Sequence, residues 1–126
     1  MDKKLLVTLL SLLLLLASCS TQTFDYSGES ENWSANLKVE QTSNDYETQD
    51  FVLEYKGSDI SSVGEITYYV DTVGGFGESG ATLEDNGTLQ ASDEANPTNA
   101  KVSEHTEVEV TVEWNDNNET FKLTKK

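Results

Sequence analysis

Glu107-Val108-Glu109-Val110-Thr111-Val112-Glu113-Trp114 alternates acidic or hydroxyl side chains with apolar ones at every step. A period of two puts Val108, Val110, Val112 and Trp114 on one face of an extended strand, and Glu107, Glu109, Thr111 and Glu113 on the other. One face suits a core and the other suits water, as in an antiparallel sheet solvated on one side. The same period recurs at Trp33, Ala35, Leu37 and Val39, at Phe51, Leu53 and Tyr55, and at Ile66, Tyr68 and Val70. Beyond residue 19 the apolar residues do not follow the three-to-four spacing of an amphipathic helix.

Turn chemistry separates these runs at Ser43-Asn44-Asp45, Gly57-Ser58-Asp59, Gly74 to Gly80, Asp85-Asn86-Gly87, Asn96-Pro97 and Asn115 to Asn118. Such residues tolerate positive φ or bond their own backbone. Asn86-Gly87 predicts a tight hairpin joining Ala81-Thr82-Leu83 to Thr88-Leu89-Gln90, because a type I′ turn needs positive φ at both central residues. A second hairpin, with the longer turn Asn115-Asp116-Asn117-Asn118, sets the valine face opposite Phe121 and Leu123. Seven strands are predicted, over residues 32–42, 47–56, 64–72, 80–84, 87–91, 105–114 and 119–125. That number of short strands fits an all-β fold, an antiparallel two-layer sandwich of immunoglobulin-like type, with a small barrel as the alternative. The immunoglobulin cystine is missing, so Trp33 or Trp114 has to fill the centre.

Ahead of the β domain, Lys3 and Lys4 precede a leucine-rich run from Leu5 to Leu16, and Leu16-Ala17-Ser18-Cys19 closes it with the only cysteine. A basic segment, an apolar segment and small residues before a cut make a signal peptide. The apolar run predicts a helix near Lys3 to Ala17, shorter than the roughly 20 residues needed to span a bilayer. Leu16, Ala17 and Ser18 read as a lipobox, with Cys19 as the lipidated residue. Lipidation consumes a thiol that would otherwise be an oxidisable liability in an exported chain. Two acyl chains, palmitate for example, then hold the protein at a membrane that one chain would grip only marginally. The expected division is a signal peptide over 1–18, the lipidated cysteine and a polar tether over 19–31, and the β domain over 32–126.

The whole chain carries a formal charge of −15 and contains no arginine; Asp2, Lys3 and Lys4 give residues 1–18 a charge of +1, so residues 19–126 stand at −16. Binding to nucleic acid or to anionic lipid headgroups begins with neutralisation of phosphates by Lys and Arg. This composition argues against both, and it accounts for solubility at a crowded surface.

The lipobox together with Gly28-Glu29-Ser30-Glu31-Asn32-Trp33 resembles a group of small uncharacterised lipoproteins of Gram-positive bacteria, in which a similar tract comes after the lipidated cysteine. The resemblance implies a β-rich domain held on the outer face of a cell membrane, and it brings no catalytic residues. Ser20 after Cys19 would also suit onward sorting in a host with an outer membrane.

Gly75-Phe76-Gly77-Glu78-Ser79-Gly80 matches G-x-G-x-x-G, but the nucleotide motif works by opening a helix onto a pyrophosphate. Residues 81–90 read as a hairpin instead, and Glu78 would repel phosphate, so no nucleotide is expected. The stretch reads as a flexible loop from Val73 to Gly80 that exposes Phe76, the candidate partner contact. Glu84-Asp85-Asn86, Asp93-Glu94-Ala95-Asn96 and Asn115 to Glu119 offer oxygens for weak calcium binding, although ordinary turns use the same residues. His105 is the sole histidine, so a zinc site of several nitrogen or sulfur ligands cannot be assembled, and no G-x-S-x-G elbow is present. The expected function is non-enzymatic: a membrane-anchored extracytoplasmic module, without cofactor, that binds a protein or an envelope component. The alternative is a structural or protective surface protein, or a small inhibitor of immunity type, with no discrete ligand.

Overall fold

The computed structural model describes residues 21–42, 46–95 and 102–126. The lipobox residues Leu16, Ala17 and Ser18, Cys19, the expected helix at Lys3 to Ala17, and the turns at Ser43 to Asp45 and Asn96-Pro97 lie outside the described residues. Eight strands make up the domain: β1 (Gln22–Glu29), β2 (Trp33–Gln41), β3 (Glu47–Tyr55), β4 (Ile66–Asp71), β5 (Phe76–Ala81), β6 (Thr88–Ala95), β7 (Val108–Trp114) and β8 (Asn117–Lys125). A short 3₁₀ turn, Ile60–Ser62, is the one helical element among the described residues. No helix there is long and apolar enough to cross a membrane.

All pairings are antiparallel and run in the order β5-β4-β7-β8-β1-β2-β3-β6, a single continuous sheet. The sheet curls until its two halves face each other, so the fold is all-β and barrel-like, nearly closed. Its two edge strands, β5 and β6, are not paired with each other. The expected pair of separate layers is joined through β8 and β1, where Tyr26 pairs with Lys125 and Ser27 with Thr124.

The period-two residues converge on one core. Trp33, Leu37, Val39, Leu53, Val70, Val110 and Val112 are inaccessible to solvent. Trp33 meets Trp114 edge to face at 5.3 Å and Tyr55 at 5.2 Å, and Phe51 stacks on Tyr68 at 5.6 Å. These contacts tie β2 and β3 to β4 and β7 across the interior, and aromatic pairs at such distances add to the burial of their area.

Five sequence expectations are corrected. Most of the supposed tether is β1, which lies between β2 and β8; Tyr26 points into the core while its neighbours remain partly exposed or exposed, a pattern too polar to read in isolation. The loop from Val73 to Gly80 is shorter than expected, because Phe76–Ala81 pairs with β4. Asn86-Gly87 turns the chain, but not as the expected I′ pair: only Gly87 has positive φ, at 83°, and the turn is centred on Asp85 and Asn86, with the Gly87 N–H donating to the Glu84 carbonyl and the Thr88 carbonyl accepting from the Glu84 N–H, both at 2.8 Å. The strand that leaves the turn pairs with β3 in the register Leu53 to Leu89, not with β5. The last hairpin has a two-residue turn, Asn115 and Asp116, at φ 46° and 62°, the positive pair that a I′ turn requires.

Candidate functional site

By strand register, the barrel has two ends. The proximal end gathers the start of β1, the end of β2, the start of β3 and the segment after residue 102. The distal end gathers the β1–β2 turn, the chain after β3 and the β7–β8 turn. At each end a glutamate on a core-facing register position holds a connecting segment by its backbone.

At the proximal end the inward alternation of β2 and β3 runs on past the apolar residues into Gln41, Glu47 and Gln49. Glu47 is only 2% exposed and Gln49 4%. Glu47 Oε1 accepts from Gln41 Nε2 at 2.8 Å and from the Val102 N–H at 3.1 Å, and its Oε2 accepts from Gln49 Nε2 at 3.0 Å. Gln41 Nε2 also donates to the Val102 carbonyl, and the Tyr26 hydroxyl donates to the Ser103 carbonyl at 2.9 Å. Burial, and then the nearby Glu47 charge, push the Tyr26 phenol upward, so it stays a donor. Val102, itself buried, is thus gripped at both its N–H and its C=O and plugs this end. Beside the plug lies a cleft of about 680 Å³ lined by Gln22, Thr23, Phe24, Gln41, Val102, Ser103 and Glu104.

At the distal end Glu119 takes the place of Glu47. Its carboxylate accepts from the Ser30 hydroxyl, from the Asn32 side-chain amide and, at 3.0 Å, from the Asn32 N–H. Lys56 completes the knot, donating to the Ser30 carbonyl at 3.0 Å and lying 3.2 Å from Glu29. The Gly28-to-Trp33 tract is therefore a strand end and a pinned turn. Gly28 is required there because a Cβ would strike the Lys122 carbonyl where β1 crosses β8. Partial burial pushes the Glu119 carboxyl up, but the hydrogen bonds from Ser30 and Asn32, with the Lys56 ammonium, outweigh it and hold the group below its ordinary value. A depressed carboxylate contributes stability above its unfolded pKa, about 4.3, and that contribution disappears as pH falls through the lower folded value. Glu119→Gln should accordingly cost about 1–2 kcal/mol at neutral pH. Chemical denaturation at pH 7 and at pH 3 should show the deficit shrinking in acid; a deficit that grows there would mean that the carboxylate is not held low.

Near the same end a cleft of about 490 Å³ opens between β4 and the β7–β8 hairpin, lined in part by Glu65, Glu113, Trp114, Asn115, Asp116 and Asn118. Among the described residues no three His, Cys, Asp or Glu side chains converge as a metal site. Asn86 Oδ1 accepts from the Thr88 N–H at 3.1 Å and from its hydroxyl at 2.7 Å, and Asp93 and Glu94 belong to β6. His105 is exposed, 3.4 Å from Glu104.

Phe76 opens β5 half-buried, packed against the core and edge to face with Phe51 at 5.9 Å. The exposed aromatic of this edge is Tyr69 on β4, at 50%, which register pairs with Gly77, while Phe76 pairs with Val70. A Cβ at Gly77 would run into the Tyr68 carbonyl and the Tyr69 ring, so the glycine admits the tyrosine over an edge strand that has little side chain of its own. Phe76→Ala should lower stability by about 2 kcal/mol, less than the roughly 3–5 for a fully buried phenylalanine; an unchanged melting temperature would return Phe76 to the role of partner contact.

The signal that could have found Gln41, Glu47 and Gln49 is the alternation itself, continued one step beyond Val39 and two steps before Phe51. Glu119 stands likewise two residues before Phe121. No family model matches the chain, and no curated protein and no solved structure matches it.

Proposed function

We propose that the protein is a lipid-anchored extracytoplasmic module, non-enzymatic and without a cofactor, that binds a protein or an envelope component at the distal end of its barrel, with Cys19 as the lipid attachment site. The observation that carries this reading is the solid interior. Core side chains from every strand fill the space that a wider barrel would give to a ligand, so recognition falls to a rim or an edge. The distal cleft pairs the flank of Trp114 with the carboxylates of Glu65, Glu113 and Asp116 and with turn amides, a surface suited to a partner that brings cationic groups. The two halves of the sheet pack face to face as sandwich layers do, which supports the immunoglobulin-like reading in its packing, while continuity through β1 and β8 favours a barrel.

Cys19→Ala should abolish incorporation of labelled fatty acid and stop formation of the lipidated mature form; label on that variant would sink the anchor. For the binding surface, residues 20–126 would be immobilised and used to capture envelope components, beside a Glu65→Gln, Asp116→Asn variant. Material retained by the parent and lost by the variant supports the distal cleft. Material retained equally by both moves binding elsewhere.

A further inference from the structure

The start of β1 sets how far the domain can stand from its anchor. Gln22 is only the third residue after Cys19, a reach of about 10 Å when fully extended. That is close to one Debye length, about 8–10 Å, so the end of the barrel that contains Gln22 sits within the field of the headgroups. Resting on the lipid anchor proposed above, we infer that the proximal end is a membrane-docking face, occupied by the lipid headgroup surface itself.

Three of the five lysines among the described residues, Lys38, Lys125 and Lys126, lie toward that end. Tyr46, 37% exposed, stands beside the start of β3 with its hydroxyl hydrogen-bonded to the Glu94 carboxylate, and tyrosine is a side chain favoured at headgroup depth. Phe24 lies half-buried on β1, with the Lys125 ammonium 5.4 Å from its ring. The Lys126 N–H donates to the Asp25 carbonyl at 2.8 Å, and Lys38 pairs across from Asp25, which brings three lysines around the first half of β1. Carboxylates offset part of that charge: Glu40, 3.2 Å from Lys38; Glu104, 3.8 Å from Lys125 and 3.4 Å from His105; Asp25 and Asp50, both in register with Lys38; and Glu94, hydrogen-bonded to Tyr46. Lys56, by contrast, is committed to the distal knot. A domain at −16 would be pushed off an anionic surface if it were free. Tethered this closely, it turns its lysines and tyrosine down and its carboxylate-rich rim outward. The nine residues of β2 then place that rim about 30 Å from the headgroups.

The test uses the full chain, processed and lipidated in its host and reconstituted into vesicles of phosphatidylethanolamine and phosphatidylglycerol that carry a headgroup spin label. Thr42→Cys at the proximal end and Ser58→Cys at the distal end each receive one fluorophore, Cys19 being blocked by its lipid. Mass spectrometry first scores the diacylglyceryl group. The Thr42→Cys label should be quenched at least about fivefold more than the Ser58→Cys label, given a separation near one strand length, ~30 Å. A flexible Gly/Ser insert of about 12 residues between Ser20 and Thr21 should reduce that difference. Lipidated protein with equal quenching at both positions overturns the docking face and leaves the anchor standing. Protein with no diacylglyceryl group removes the anchor and the docking face together.

Discussion

Trp33→Ala should destabilise the domain by about 4 kcal/mol, a large part of the roughly 5–15 kcal/mol that separates folded from unfolded chains of this kind. The ring is fully buried and is the largest object in the contact between β2 and β7, wedged between Trp114 and Tyr55. Removing it leaves a cavity that rigid strands on both sides cannot close. Trp33→Phe should cost less than half as much. The indole Nε1 is buried with no partner among the described residues, so phenylalanine gives up packing area while relieving an unpaired donor. Urea denaturation of the two variants gives the comparison; equal losses would mean that the indole N–H is satisfied after all.

Glu47→Ala should cost about 3 kcal/mol, because it strands the Val102 N–H and the Gln49 amide inside the barrel, each worth about 1–3 kcal/mol once unsatisfied. Glu47→Gln should stay within about 1 kcal/mol of the parent. The new amide would present a nitrogen to Gln49 Nε2, but Gln49 can turn over and offer Oε1, which has no partner among the described residues. The contrast separates a hydrogen-bonding role from a need for charge. If the glutamine variant falls as far as the alanine variant, the negative charge itself is what the plug requires.

The parts of the fold that were legible in the sequence are those whose residues declare a face locally. β2, β3, β4, β7 and β8 show alternation because one side of each meets the core, and turn residues mark where each stops. β1 was not legible. Its strand character comes from lying between β2 and β8, and only Tyr26 registers that burial. β5 was hidden for the opposite reason: an edge strand with glycines owes its order to β4 and to the Tyr69 ring laid across it. The Asn86-Gly87 turn shows a further limit, since turn chemistry reports that the chain reverses and not which strand it will join. At the candidate site, the inward polar residues Glu47, Gln49 and Glu119 were visible as positions. Their roles were not, because the groups they hold belong to Val102 and Asn32, distant in sequence.

The joint between β1 and β8 also governs the order in which the molecule can be made. Ser27 and Thr124, whose contact closes it, are 97 residues apart. A chain is synthesised from its N-terminus, so β1 is delivered first and its second neighbour last. Until the final residues arrive, β1 can pair only with β2, and the far edge of β1 stays open. Closure of so long a loop is the slow kind of event in β-rich proteins, on the order of milliseconds to seconds. Short C-terminal truncations should therefore leave a chain unable to finish folding, an easy target for proteases.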